Sequence, residues 1–522
     1  MRLRRFWIVG ISGAVVLLLG AFAALLFFIS SSLTFVPGAR VLERFVPADS
    51  FLVIGADLVD LDMSASDSFV VSFAAKYVPV IDLIAEPKKV VVSFQSDEDG
   101  APRASFVAVV SDSAAVEQYI NSTYSVVDTD ARGALIFERE NEYGAFYNNV
   151  LVVTSSRFRR DSVIGRSGAK RDSIVRSLNF LRTITKLPRA HNAYVYIDPS
   201  YDSPPLTPFL GMRSLARGIA IGITQDSDSI TADIITVLDR KALAKNDLTA
   251  LLKPSNIYLD SRITAGSPMF YMEFRGLKEI LDIQRDLLLA DTEVSELFGD
   301  SLRSLNFSAL QPFEGNAALL IEDSGGVIPT VSLVIDVKGQ SAAALAFDSS
   351  IDEKMEKFIS TARLALDAPE DFYLEKLENE NGFNGIRLYP KKFPQSEFHI
   401  PLLEELNENI ELWYGVTPDE LFVITTKKPA ASSSAIASNM MYQALLPYLG
   451  KFSKTERTFF DPAVTNVWLE KFTKFADESG YLPESQKQTI IQLSGILQNL
   501  RSAVSGTKVS GSTIKTRVFL RQ

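Results

Sequence analysis

The sequence predicts an α+β protein: an N-terminal transmembrane helix, then two tandem copies of an antiparallel-sheet domain with covering helices. Three observations carry this. An uncharged run from Phe6 to Ile29 follows Arg2, Arg4 and Arg5. Beyond it, strand-length apolar runs alternate with turns rich in Asp, Ser, Asn and Gly. The order of those runs recurs along the chain.

The N-terminal run comes first. At about 1.5 Å per residue it makes about 36 Å of helix, enough to cross a hydrocarbon core of about 30 Å with some tilt. Its Leu, Ile, Val and Phe residues favour insertion and no charge opposes it. The run is longer than the apolar region of a cleavable signal peptide and continues into Ser30-Ser31-Ser32-Leu33, so it reads as an uncleaved signal anchor. The arginines before it place the N-terminus in the cytoplasm and the body outside.

Composition bounds the rest. The chain has 522 residues and is 47% hydrophobic, ample for real cores. It carries a formal charge of −10, and the body without the first three arginines is more acidic still, which disfavours nucleic acid and anionic headgroups as partners. It contains no cysteine, which removes disulfides, lipoprotein acylation, thiolate catalysis and thiolate metal sites together.

The first copy opens with Phe51-Leu52-Val53-Ile54, then a hairpin with arms Val90 to Phe94 and Ala104 to Val110. A helix over Ser111 to Tyr119 has Asp112 or Ser113 as N-cap. The second copy opens with Met269-Phe270-Tyr271-Met272 and pairs Ala317 to Ile321 with Thr330 to Val337, with a helix from Asp352. Two hairpins follow with aromatics on the incoming arm: Tyr147-Asn148-Asn149 into Val150 to Thr154, and Trp413-Tyr414-Gly415 into Leu421 to Thr425. Helical stretches then lead to lone strands, Ile174 to Ile184 before Tyr194 to Ile197, and Met440 to Leu449 before Asn466 to Leu469. Each copy closes with a hairpin, Ile219 to Ile223 with Ile230 to Val237, and Ser502 to Val509 with Ile514 to Leu520. Such hairpins bury one face and need helices as cover.

The resulting division is a cytoplasmic N-terminus 1–5, a transmembrane anchor 6–29, a juxtamembrane linker 30–45, a first repeat 46–238, a connection 239–264 and a second repeat 265–522. This order, with Val46-Pro47-Ala48-Asp49-Ser50 opening the first strand, resembles uncharacterised bacterial families of single-anchor extracytoplasmic proteins with tandem hairpin-rich repeats. The resemblance implies location and architecture and assigns no activity to any residue.

No catalytic, metal or nucleotide motif stands up to its chemistry. The chain has only His191 and His399 as near-neutral bases, and both read as surface or packing residues. Gly299-Asp300-Ser301-Leu302 spells an esterase tetrad, but neither histidine has an aspartate three residues before it. Ser167-Gly168-Ala169-Lys170 and Ser505-Gly506-Thr507-Lys508 fit Ser-x-x-Lys without companion motifs. Asp128-Thr129-Asp130 begins like a calcium loop, yet Arg139 stands where a bidentate glutamate is needed.

The function expected is therefore a membrane-anchored extracytoplasmic binding or scaffold protein of the cell envelope, without catalytic activity or cofactor. Its partners are the membrane, through the N-terminal helix, and an envelope protein or lipid. Tyr147, Trp413 and Tyr414 are the candidate contact surface, with cross-strand packing as the competing role. The alternatives are a carrier enclosing a lipid or other apolar ligand between paired sheets, and an envelope hydrolase with an unfamiliar site.

Overall fold

The computed structural model describes residues 42–57, 89–96, 102–129, 133–164, 173–188, 193–201, 215–226, 228–245, 258–278, 316–339, 372–380, 383–390, 411–427, 434–452, 456–478 and 497–521, with His191 and a few other single positions. The expected anchor, the helix from Asp352, Ser167 to Lys170, Ser301 and His399 lie outside them. Among the described residues no helix is long and apolar enough to cross a membrane. The chain forms two compact units: one runs to Leu243 and takes in Val509–Val518, the other holds Ala244–Lys508 and Phe519–Gln522. Each is mostly antiparallel sheet with some helices.

The first unit contains β1 (Leu52–Asp57), β2 (Lys89–Ser96), β3 (Pro102–Val109), β4 (Ser125–Thr129), β5 (Leu135–Arg139), β6 (Glu142–Tyr147), β7 (Val150–Thr154), β8 (Ala193–Ile197), β9 (Ala216–Gln225) and β10 (Ser229–Leu238). They pair antiparallel in the order β4-β5-β6-β7-β3-β2-β1-β8-β9-β10. The β6–β7 turn is tight because Asn148 and Asn149 both accept positive φ, 48° and 63°, the two-residue geometry that matches strand twist.

The second unit contains β11 (Thr264–Ala265), β12 (Pro268–Arg275), β13 (Asn316–Glu322), β14 (Thr330–Asp336), β15 (Phe372–Glu380), β16 (Phe383–Pro390), β17 (Glu411–Val416), β18 (Leu421–Thr425), β19 (Ser434–Ala435), β20 (Glu456–Phe460) and β21 (Ser502–Ser510), together with the end of β22 (Thr513–Arg521), whose residues up to Val518 fall in the first unit. Their order is β15-β16-β17-β18-β14-β13-β12-β20-β21-β22. Position by position this is the strand order of the first unit. The short pair β11–β19 has its counterpart in the single bridge between Pro47 and Ser173.

The helices whose bounds lie among the described residues are α1 (Ser113–Thr123), α2 (Arg157–Ile164), α3 (Leu178–Ile184), α4 (Arg240–Lys245), α5 (Met440–Leu449) and α6 (Pro462–Glu478). Asp112 caps α1 by accepting from the Ala115 amide at 3.0 Å. Helices α3 and α5 start alike. A short 3-10 turn precedes each, Ile174 donates to the Val46 carbonyl at 2.9 Å and Ile436 to the Ile263 carbonyl at 3.0 Å. Ser177 then caps α3 through the Phe180 amide at 3.3 Å, and Asn439 caps α5 through the Tyr442 amide at 3.0 Å.

Each cap directs an aromatic ring into its core. Phe180 meets Tyr196 edge-on at 5.0 Å, and Tyr442 meets Phe459 edge-on at 5.5 Å. The first core gathers Val53, Val91, Val107, Phe180, Ile184, Tyr196 and Ile235; the second gathers Tyr271, Leu320, Val334, Tyr442, Leu445, Phe459 and Val504.

Two sequence expectations are corrected. Ile174 to Ile184 is broken at Ser177, because the serine serves as a cap rather than as a helix-interior residue. Asn466 to Leu469 lies inside α6, and the lone strand is β20 instead. Asp461 accepts from the Val464 amide at 3.1 Å and Pro462 needs no amide partner, so this pair starts a helix that strand-like apolar content had masked.

Candidate functional site

Residues alternate across a strand, so Tyr271 and Glu273 of β12 share the face that α5 covers. Glu273 is 3% exposed and Tyr271 fully buried. The turn before β12 closes over them. Its Leu259 and Asp260 amides donate to Glu273 Oε1 at 2.9 and 3.2 Å, and the Tyr271 hydroxyl donates to the same oxygen at 2.5 Å.

Asp260 is 3% exposed and is held from the other side. Its Oδ2 accepts from the Tyr442 hydroxyl at 2.9 Å and forms an ion pair with the Arg457 guanidinium of β20. Arg457 in turn lies 4.4 Å over the Tyr258 ring. Asp260, Glu273, Arg457, Tyr271 and Tyr442 thus form one buried polar cluster.

Its charge balance is uneven, with two carboxylates facing one guanidinium. Burial pushes the Glu273 carboxyl up to about 7 and the nearby Asp260 charge adds to this, against the bonds from Tyr271 and the Leu259 amide. Burial likewise raises both tyrosines, so their hydroxyls stay protonated donors. Glu273 Oε2 has no partner among the described residues, which suits a carboxyl carrying its proton there. The arrangement can store a proton near neutrality.

The matching strand order locates the same positions in the first unit. Val53 pairs with Tyr196 as Tyr271 pairs with Phe459. Gly55 therefore stands where Glu273 does, Tyr194 where Arg457 does, Phe180 where Tyr442 does and Glu43 where Asp260 does. The Tyr194 ring lies on Gly55, where a Cβ would sit 2.2 Å from the ring, and its hydroxyl donates to Glu43 Oε1 at 2.9 Å. The Tyr194 ring lies where Glu273 and Arg457 stand in the second unit, with Val53, Phe180 and Glu43 at the positions of Tyr271, Tyr442 and Asp260.

A further polar group lies in the first unit. His191 is 8% exposed and rests on Gly222, with Nδ1 3.3 Å from the Thr224 hydroxyl and Nε2 3.9 Å from Asp233. Arg517 binds that aspartate through two bonds of 2.9 and 3.0 Å. Burial lowers the His191 pKa, so the ring packs neutral. Among the described residues no group of three or more His, Asp or Glu is arranged to hold a metal.

The three residues expected at a contact surface divide. Tyr147 is 42% exposed, whereas Trp413 is 4% and Tyr414 2% exposed. The Trp413 ring lies on Gly385 of β16, and its indole donates to Glu411 at 2.8 Å. Trp413 is buried against a glycine on the neighbouring strand and Tyr414 among Ile335, Ile386 and Phe422, which takes both out of any exposed patch, a correction to the sequence expectation. Asp260, Glu273 and Arg457 were not singled out from the sequence. The signal was a glutamate inside the apolar run Met269 to Phe274.

No protein-family model matches the chain, and no curated protein matches it. Among solved structures it is similar to crystal forms III, I and IV of TP0453, at TM-scores of 0.26, 0.24 and 0.26 and identities of 11%, 10% and 10%. The similarities cover 42%, 42% and 38% of this chain and 90%, 89% and 81% of those chains.

Proposed function

We propose that this chain is a membrane-anchored, extracytoplasmic binding or scaffold protein without catalytic activity, built from two copies of one α+β unit. The observation that carries the duplication is the identical order of two sets of ten paired strands, with equivalent caps and core aromatics at matching positions. The non-catalytic reading is supported by where the polar groups go. Asp260 is bound by Arg457 and Tyr442, Asp233 by Arg517 and Glu273 by backbone amides, so each is engaged in holding its own core. Phe6 to Ile29 supplies the anchor, and the cell envelope is the place of action.

A topology reporter fused after Arg40 tests the location: activity outside the cytoplasm supports it, and activity inside reverses it. Crosslinking in intact membranes followed by purification tests the binding role. Recovery of one reproducible envelope protein or lipid is expected. Repeated recovery of none, or turnover of an envelope substrate that a single side-chain change abolishes, overturns the reading.

A further inference from the structure

The chain is acidic overall, but two of its segments are not. Ile174 to Ala190 contains Arg176, Arg182, Lys186 and Arg189 without an acidic residue, and no Asp or Glu follows Glu484. The fold of the first unit brings these segments together although they are far apart in sequence. Lys186, just after α3, donates to the hydroxyl of Thr513 in the C-terminal hairpin. Lys515 and Arg182 both lie close enough to repel it. On the neighbouring turn the Arg240 guanidinium lies 3.2 Å from where a Gly511 Cβ would be.

Among the described residues no ion pair joins Arg182, Lys186 or Lys515 to a carboxylate. The nearby acids are already engaged, Asp233 by Arg517 and Asp239 by Arg217. Lys186 is half-buried, loses hydration and has two like charges beside it, with a neutral hydroxyl as its partner. Its pKa is lowered, by burial first and then by those two cations. Three clustered cations, with no ion-paired carboxylate among the described residues, form an arrangement that an anion stabilises.

We infer that Arg182, Lys186 and Lys515, with the Thr513 hydroxyl, form a binding site for a phosphate-bearing anion. Lysine and arginine donate charge-assisted hydrogen bonds to phosphoryl oxygens, and the hydroxyl supplies a further donor once Lys186 turns to the ligand. A phospholipid headgroup and a soluble phosphate share this chemistry. Leu178 is 63% exposed on the same helix as Arg182, one turn before it, which places an apolar side chain beside the cations. Net charge concealed the site because it sums over the chain, whereas an anion responds to the charges within about 10 Å.

The test uses the full chain in neutral maltoside micelles. One arm titrates inorganic phosphate calorimetrically; the other compares micelles doped with phosphatidylglycerol against micelles doped with phosphatidylcholine. Binding in either arm is expected, weakened at least about tenfold by Lys186→Gln and by Lys515→Gln and kept by Lys186→Arg. A response to phosphate alone identifies a soluble ligand, and a response to phosphatidylglycerol alone identifies a lipid. Without anion, Lys186→Gln should unfold no earlier than the wild type, because it removes repulsion. Absence of binding in both arms, affinity unchanged by the substitutions, or a Lys186→Gln variant that loses stability while binding normally overturns the site.

Discussion

The two units place different chemistry at one address. In the first, Tyr194 lies on Gly55 and reaches Glu43; in the second, Glu273, Asp260 and Arg457 fill the matching positions with Tyr271 and Tyr442 around them. The surrounding frame is unchanged, from strand order to helix caps. Even the acid after β8 recurs: the Asp198 amide donates to the Phe51 carbonyl at 2.7 Å, and the Asp461 amide to the Met269 carbonyl at 2.9 Å. The comparison teaches that backbone hydrogen bonding and core periphery specify this unit, while the interior tolerates either an aromatic against glycine or a compensated ionic cluster.

The largest break in that comparison should come from Arg457→Leu. It leaves Asp260 and Glu273 buried without their cation, which destabilises by about 3–5 kcal/mol, whereas Tyr194→Leu at the matching position removes packing and one hydrogen bond and costs less. Denaturant unfolding followed by tryptophan fluorescence, with Trp7 of the N-terminal run replaced by Phe, separates the units, since Trp413 and Trp468 belong to the second and residues 18–243 and 509–518 contain no tryptophan. Equal effects at both positions break the comparison.

Next in size is opposite pH dependence. The folded Glu273 carboxyl, at about 7, holds a proton that the unfolded chain releases above 4.5. Its stabilisation is complete below 4.5, amounts to on the order of 3 kcal/mol, and is lost as pH rises through 7. Glu322 and Glu456 are raised by burial and act in the same direction. In the first unit His191 is lowered from 6.5, so its contribution is present above 6.5 and is lost as pH falls below it. The second unit should therefore weaken between pH 5 and 8 while the first strengthens. Glu273→Gln should flatten the tryptophan-reported slope, and an unchanged slope removes Glu273 as its cause.

Smaller is Gly55→Ala, which drives a methyl group into the Tyr194 ring and should destabilise the first unit by about 1–3 kcal/mol, with recovery on adding Tyr194→Leu. Circular dichroism of the single and double variants measures both. The smallest effect sharpens the equivalence itself. Ser177→Ala and Asn439→Ala should each cost about 1 kcal/mol, each in its own unit, because each removes one side-chain cap from the same turn.

Much of the frame was legible along the chain. Strand pairs such as Val90 to Phe94 with Ala104 to Val110 announce themselves by apolar runs and polar turns, and Asp112 by its place before a helix. Strands β4, β15 and β16 were missed; in Ser125–Thr129 the apolar residues Val126 and Val127 are adjacent and both exposed, so no alternation marks a buried face. The lone strand and helix around Asp461 were exchanged because Asn466 to Leu469 has strand-like composition, while cap and proline geometry decided for helix. Of the expected contact residues, Tyr147 is exposed and Trp413 and Tyr414 are core, Trp413 because Gly385 on the neighbouring strand makes room for its ring and Tyr414 because it packs with Ile335, Ile386 and Phe422.

By itself the sequence determined the local terms: which stretches pair as hairpins, where helices are capped, that no thiol chemistry exists, and that the elements recur in one order. These follow from side-chain periodicity and turn chemistry, which act over a few residues. Only the tertiary structure decided which charges meet. Asp260 with Arg457, Tyr194 on Gly55 and Lys186 with Thr513 are contacts between distant segments. Desolvation and Coulomb energy depend on what surrounds a group in space, and composition along the chain does not carry that information.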